Sequence, residues 1–431
     1  MSHNPGRAES AAPRRGLRVL VVTQYFWPEN FRINDLVASL VERGHEVTVL
    51  TGQPNYPSGD FHPGYGWGGP SAERHSGAEV LRVPLLPRKQ GGLRLALNYL
   101  SFVVTGCWGV LFRLGRGRAF DAVFVFQTSP ITVGIPAALA AWKYRAPVLF
   151  WVLDLWPQSL TAVGAVRSKW VLRRVETLVR WIYRRCRLVL ISSKTFAPEV
   201  EQRGVAAENI RYFPNWGEAG LNEPSPAAEL PRLPDGFVVL YGGNIGAAQD
   251  FPAILDAAER LKSRPEIKWV IVGDGRLAQW AREEVQRRGL GDAVVFLGQH
   301  PLAAMPGFFA AASALLLSLR PDPLFSITVP GKLQSYLAGG KPVLAMLDGE
   351  GARIVDEAQA GISCQAGDSA ALAAAVERMA DMPAEELAQM GRNGKAYFDM
   401  NFARDRVLDH LDEWLAEVTD TNAKAVPART K

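Results

Sequence analysis

The chain has 431 residues, of which 48% are apolar and 21% charged, and a net charge of +5. That length suits two domains and the composition is that of an ordinary folded protein. The mild basic excess, without a nucleic-acid module or a paired-cysteine zinc pattern, gives no ground for a nucleic-acid partner. Three cysteines, Cys107, Cys186 and Cys364, are odd in number and far apart, which favours a reducing compartment over a disulfide framework.

Residues 1–15 lack an apolar core, so they read as a disordered tail and not as a secretory signal. A first domain is expected over 16–216. Leu17 to Gln24 forms a buried strand, Ile33 to Arg43 carries helical spacing, and Gly44 stands as a helix cap before the strand HEVTVLTG. The stretch from Leu93 to Leu114 is largely apolar but contains Arg94, Asn98 and Arg113. It is open to three readings: a buried helix, a helix in the membrane interface, or a spanning helix. Strands follow at Asp121 to Gln127, Pro147 to Asp154 and Leu188 to Ser193. Between the last two, Arg167, Lys169, Arg173, Arg174, Arg180, Arg184, Arg185 and Arg187 face a single acid, Glu176, with apolar residues at helical spacing. This predicts an amphipathic helix with a cationic face, suited to solvent or to anionic lipid.

Residues 217–236 hold four prolines and no periodicity, and read as a linker. The strand–helix alternation restarts over 237–402, with strands at Phe237 to Asn244, Ile267 to Gly275, Ala293 to Gly298, Ala314 to Leu319 and Pro342 to Met346. A last helix over 403–419 is expected to cross back to the first domain, and 420–431 reads as a tail. The pattern predicts an α/β protein of two Rossmann-like, doubly wound parallel sheets facing a central cleft.

Three glycine-bearing strand ends in the second half suggest anion binding: YGGNIG from Tyr241, VGDG from Val272, and Pro330-Gly331-Lys332 opening a helix. Ligands of open parallel sheets bind at the carboxyl ends of strands, where helix starts attract phosphate. No acid occurs between Asp322 and Asp348, so the helix start at Pro330-Gly331-Lys332 presents free backbone N–H groups and positive charge suited to a phosphate.

The strings FWPE, RGHEVTVLTGQPNYPSG, DLWPQS, GGNIG and VPGKLQSYLAGGKPV resemble glycosyltransferase family 4, the retaining nucleotide-sugar enzymes of the GT-B fold. They are similar to the branch with the colanic-acid fucosyltransferase and the L-fucosamine transferase. The resemblance implies that Gly243, Asn244, Gly246, Gly273, Asp274, Pro330 and Gly331 bind a UDP- or GDP-linked sugar. It also marks departures. Asn244 and Gln249 stand where many members carry an arginine and a lysine, so Arg320 and Lys332 are expected to take over the diphosphate. The family's paired glutamates fall at Ile327 and Ser335, leaving Glu350 as the nearest carboxylate for a sugar or ribose hydroxyl. In the first half, Trp27, Glu29, Asn30, Asn55, Tyr56 and Trp156 are expected to bind the acceptor, and Asp154 to position it or face the reacting sugar. His45 is read as structural.

The implied reaction transfers a sugar, fucose or an N-acetyl amino sugar, to an undecaprenyl-diphosphate-linked saccharide at the inner face of the cytoplasmic membrane. The departing phosphate would take the acceptor proton. No cofactor or essential metal is expected, since no Asp-x-Asp motif is present. A nucleotide-sugar 2-epimerase and a non-catalytic scaffold of the same fold are the alternatives.

Overall fold

The computed structural model describes residues 16–89, 91–115, 117–162, 168–217 and 230–425. The N-terminal tail, most of the linker, Arg167 and the last six residues lie outside the described residues. The described residues fall into two compact units: those up to 190, with 201–211 and those from 412 on, form the first, and those of 191–200 and 212–411 the second.

The first unit is built on an eight-stranded sheet. Its strands are β1 (Arg18–Val22), β2 (Glu46–Gly52), β3 (Ala72–His75), β4 (Ala78–Val83), β5 (Ala122–Gln127), β6 (Val148–Val152), β7 (Leu188–Ile191) and β8 (Ile210–Tyr212), in the order β3-β4-β2-β1-β5-β6-β7-β8. The runs RVLVV, AVFVFQ and VLFWV are buried almost throughout, as expected of central strands covered on both faces. The sheet is not wholly parallel: β3 pairs antiparallel with β4, an edge hairpin that the alternation alone did not indicate.

Helices α1 (Arg32–Glu42), α2 (Gly92–Trp108), α3 (Gly134–Tyr144), α4 (Gln158–Ala162), α5 (Lys169–Tyr183) and α6 (Ala197–Glu201) follow in chain order. The crossovers β4-α2-β5, β5-α3-β6 and β6-α5-β7 all advance in one direction along the sheet. Right-handed connections therefore put α2, α3 and α5 side by side on one face. Helix α2 continues through a π turn, Gly109–Arg113, and is long and apolar enough to cross a membrane. Only one stripe of it is inside, with Asn98, Phe102, Gly106, Gly109 and Val110 buried, so the fully buried reading does not hold.

The second unit holds a six-stranded parallel sheet in the order β11-β10-β9-β12-β13-β14. Its strands are β9 (Phe237–Gly242), β10 (Ile267–Val272), β11 (Val294–Gly298), β12 (Ala314–Ser318), β13 (Val343–Met346) and β14 (Gly361–Cys364). Helices α7 (Phe251–Arg260), α8 (Ala278–Arg288), α9 (Met305–Ala311), α10 (Pro323–Ile327), α11 (Gly331–Ala338), α12 (Glu350–Glu357), α13 (Ser369–Ala380) and α14 (Ala384–Asn401) cover its faces. Two apolar clusters, around Tyr241, Phe251 and Trp269 and around Phe308, Tyr336 and Phe398, form the core on either side.

The last helix, α15 (Arg404–Ala425), runs past residue 420, where the sequence read as a tail, and from Asp412 belongs to the first unit. Asp412 lies 2.8 Å from Arg43 and 3.1 Å from His45 Nε2, while His45 Nδ1 accepts the Leu17 N–H. His45 thus ties the start of β1 to the last helix.

Candidate functional site

In the second unit, β9 and β10 end side by side in the glycine loops. Gly243 N–H donates to the Val272 carbonyl at 2.8 Å, and Ile245 N–H to that of Asp274 at 2.9 Å. This backbone-on-backbone packing requires glycine. Gly273 has φ +148°, and a Cβ there would lie 1.9 Å from the Gly243 carbonyl oxygen.

Gly243, at φ +125°, leaves room for Lys332: a Cβ would come within 2.7 Å of its Nζ. Pro330 caps α11, whose first turn brings Lys332 under this loop. The ammonium donates to Tyr241 Oη at 2.6 Å and lies 4.1 Å from that ring's centre; Tyr241 in turn donates to the Asn244 carbonyl at 2.5 Å. No carboxylate pairs with Lys332 among the described residues, and burial pushes its pKa down to about 7. A desolvated amine beside open glycine backbone is a cation waiting for an anion.

Next to it, Asn244, Gly246, Ala247, Ala248, Gln249, Arg276 and Arg320 line a pocket of about 260 Å³. Two bonds fix its wall: Ser318 Oγ donates to the Gln249 carbonyl at 2.7 Å, and Arg320 N–H to that of Ala248 at 2.9 Å. Arg320 is half-exposed, with its guanidinium 3.4 Å from Asp322. Asn244 and Gln249, uncharged where the family carries a cationic pair, hydrogen-bond each other at 3.2 Å. Arg276 lines the same pocket and was not singled out from the sequence; a base directly after the Gly-Asp-Gly turn was the available signal.

Other donor-side expectations change. Asp274 is exposed and accepts the N–H of Gly275 at 2.8 Å, a turn-forming role. Glu350 is fully buried at the start of α12, and Arg353 holds both its oxygens at 2.8 and 2.9 Å. That pairing takes it away from a donor hydroxyl. Ser335 faces the core, and the Ile327 carbonyl accepts from Thr195 Oγ1 at 2.7 Å.

In the first unit, the acceptor candidates divide. Glu29, 2% exposed, accepts the N–H groups of Asn55 and Tyr56 at 2.8 Å on one oxygen and of Phe26 at 3.1 Å on the other. Burial raises its pKa and these bonds oppose the rise. It clamps the loops after β1 and β2 together, and is not presented to a sugar. Asn55 is equally internal: Nδ2 donates to the Gln53 carbonyl, while Oδ1 accepts Arg88 N–H at 3.0 Å and Asn98 Nδ2 at 3.5 Å. Trp27 is half-exposed with one face stacked on His75 at 4.6 Å, toward the edge hairpin. Asn30 is exposed.

Tyr56 and Trp156 remain as sugar-facing candidates. Tyr56 packs with Tyr25 and Phe31, ring centres 5.8 and 5.1 Å away, and Arg88 lies 5.4 Å from its ring. Trp156 is buried with Nε1 lacking a partner, 6.4 Å from the ring of Tyr99 on α2. Unpartnered too among the described residues are the Oε1 atoms of Gln24 and Gln127, at the ends of β1 and β5. Asp154, just past β6, has no hydrogen-bond or ion-pair partner among the described residues, and burial raises its pKa to about 7. Orphaned buried polar groups at the ends of neighbouring strands mark a place for a polar ligand.

Residues 30–216 match the glycosyl transferase 4-like domain, and residues 236–382 the glycosyl transferases group 1 domain. WcaI of Escherichia coli (strain K12), a candidate colanic acid biosynthesis glycosyl transferase, is 27% identical over 347 residues, covering 76% of this chain and 83% of its own. The structure of HepE from Anabaena in complex with UDP superposes with a TM-score of 0.64 at 17% identity, over 93% of this chain and 100% of that one. That of WaaG, a glycosyltransferase involved in lipopolysaccharide biosynthesis, gives 0.59 at 14% identity, over 94% and 100%. With both domain models matched in succession and the two-sheet fold shared along nearly the whole chain, this protein belongs to the glycosyltransferases of the GT-B fold.

Proposed function

We propose that the enzyme transfers a hexose-type sugar from a nucleoside-diphosphate donor to a lipid-linked saccharide in exopolysaccharide or O-antigen assembly, with retention at the anomeric carbon. The observation that carries this reading is Lys332: a buried amine without a counter-anion, under the glycine loops and beside a pocket lined by two arginines. The UDP in the HepE structure supports a nucleotide sugar as donor. The names of WcaI and WaaG support a polysaccharide or lipopolysaccharide product. Likeness to the fucosyl and fucosaminyl branch supports fucose or an N-acetyl amino sugar as the group moved.

As the bond from the anomeric carbon to the diphosphate breaks, negative charge builds on the leaving group. Lys332, Arg276, Arg320 and the first turn of α11 stabilise it. Removing one such donor typically costs about 2.7–4 kcal/mol of barrier. Gly243, Gly246, Gly273 and Gly331 let the nucleotide approach the backbone. In the first unit Asp154 orients the acceptor hydroxyl, with Tyr56 and Trp156 as apolar walls. The acceptor proton passes to the departing phosphate. Fixed side-chain cations do the work a divalent metal does elsewhere, so none is required.

The outer faces of α2 and α5 support a place at the inner face of the cytoplasmic membrane. Trp170 and Trp181 are exposed on α5, with Arg174 and Arg185 stacked 5.1 and 3.8 Å from their rings. Such amphipathic, cationic surfaces favour the headgroup region.

A panel of UDP-, GDP- and dTDP-sugars tests the reading by thermal stabilisation and then by radiolabel transfer into a membrane lipid extract. One donor is expected to raise the melting temperature and label the lipid fraction. No shift with any of them would favour a non-catalytic scaffold. Preferential labelling of a soluble sugar would refute the lipid-linked acceptor.

A further inference from the structure

Between Glu79 and Asp121 the chain carries no carboxylate, yet it holds Arg82, Arg88, Lys89, Arg94, Arg113, Arg116 and Arg118. Several of the described bases are accounted for. Arg82 is buried on Glu73, Arg118 pairs with Glu79, and Arg113 donates to the Ser71 carbonyl. Arg88 is different: it is half-buried, it rests over the Tyr56 ring, and no carboxylate meets it among the described residues. Its backbone is pinned, because Asn55 Oδ1 accepts both Arg88 N–H and the Asn98 side chain of α2. Two residues earlier, the Leu86 N–H donates to Ser101 of α2 at 2.9 Å, and its carbonyl accepts from Asn98 at 2.5 Å. The backbone from Leu86 to Arg88 is thus held at the flank of α2, with the guanidinium over Tyr56.

The opposite stripe of α2 is bare. Leu93, Leu97, Leu100, Val104, Trp108 and Phe112 recur at helical spacing and are 42–76% exposed. From Leu93 to Phe112 the stripe is about 28 Å long at 1.5 Å per residue. An unneutralised arginine beside an acid-free apolar ridge has the complementary chemistry of one amphiphile, an anionic head on a long hydrocarbon chain.

We propose that Arg88 and the outer stripe of α2 bind a phosphorylated lipid, with the phosphate at Arg88 over Tyr56 and the chain along α2. The site rests on the reading of the acceptor as lipid-linked, and gives that lipid its own residues. A saccharide leaving the phosphate then has Tyr25, Tyr56 and Trp156 ahead of it. Among the described residues Trp156 Nε1 is a buried hydrogen-bonding group without a partner there, and Tyr25 feels the charge of Arg88 directly.

Co-sedimentation of the full chain with phosphatidylcholine vesicles, plain or doped with a polyprenyl phosphate, tests this. Arg88→Gln is expected to lose about tenfold in binding to the doped vesicles, the loss of one charge-assisted contact, and to match wild type on plain ones. Leu97→Ser with Val104→Ser, both at exposed positions, is expected to weaken binding to both. Equal binding of Arg88→Gln and wild type to the doped vesicles overturns the proposal. So does an equal tenfold loss on phosphatidylserine vesicles, which would mean that Arg88 reads net charge and not a terminal phosphate. Binding of the UDP-, GDP- and dTDP-sugar panel on the same preparations separates the two readings. If a donor still binds while Arg88→Gln behaves as wild type, only the lipid site fails; if none of the panel binds wild type, the sugar-transfer reading on which the site rests fails.

Discussion

Lys332 offers the sharpest test, because its placement sets stability and donor binding against each other. Burial lowers its pKa from 10.5 to about 7. The unfolded chain therefore holds the proton more tightly than the native one. Between about pH 7 and 10.5 unfolding takes up a proton, so the native state gains stability as pH rises through that window. Below about 7 the penalty is fully present. At 1.36 kcal/mol per pH unit it is on the order of 5 kcal/mol. A diphosphate arriving at the ammonium supplies the missing counter-charge and returns the proton affinity toward the ordinary lysine value. Donor binding near pH 8 must then draw a proton from the buffer. Affinity should fall by up to about tenfold per pH unit above 7.

Lys332→Met separates these effects. The thioether keeps much of the volume under Gly243 and removes the charge. At pH 6.5 the variant is expected to melt higher than wild type, with the gap closing by pH 10. Its UDP affinity is expected to fall at least tenfold, the weight of one hydrogen bond to a charged group at about 1.5–3 kcal/mol. Calorimetric titration with UDP in two buffers of different ionisation enthalpy reads the proton uptake directly. UDP binding at pH 8 without proton uptake would refute the reasoning. So would a Lys332→Met protein that melts below wild type at pH 6.5 and binds UDP as before.

Asp154→Asn, which loses the orienting of the acceptor hydroxyl, should lower kcat by roughly a hundredfold and abolish a pH dependence centred near 7, read from a rate profile with wild type alongside. The Asp154 pKa is raised from 3.8 to about 7. Its burial therefore costs stability as pH climbs from about 4 through 7, and the variant should melt higher at pH 8 but not at pH 4. Arg276→Ala and Arg320→Ala should each raise the donor KM about tenfold and leave the acceptor KM unchanged; a double variant no worse than either single one would show that they do not share one ligand. Glu29→Gln should lower stability by about 1–3 kcal/mol, since one of three backbone N–H groups would meet an amide in place of an oxygen. Its acceptor KM should hold, which a kinetic comparison at a permissive temperature checks.

What could be read in the sequence was local. The buried runs that became β1, β5, β6, β9, β10 and β12 carry their own signal, and Gly243, Gly273 and Gly275 of YGGNIG and VGDG take the positive φ that glycine allows. Lys332 was visible as a base at a helix start, but its loss of solvent comes from Tyr241, some ninety residues earlier. Arg276 escaped notice for the same reason: the pairing of β12 with β9 and the bonds of Ser318 and Arg320 to the loop at 248–249 make one pocket of separate strand ends. The polar residues after β1 and β2 misled in the other direction. Glu29 and Asn55 look like hydroxyl binders in loops at the ends of strands. Those loops instead carry backbone N–H groups that must be satisfied out of reach of water, and the side chains go to them first. Glu350 shows the principle at short range, since Arg353 stands one helical turn along and claims it. A polar side chain at a strand end becomes a ligand contact only after the fold's own donors and acceptors have been served. Among the described residues, Asp154, Trp156 Nε1, Lys332 and Arg88 are groups left over in this sense, and they are where the chemistry of this chain should be sought.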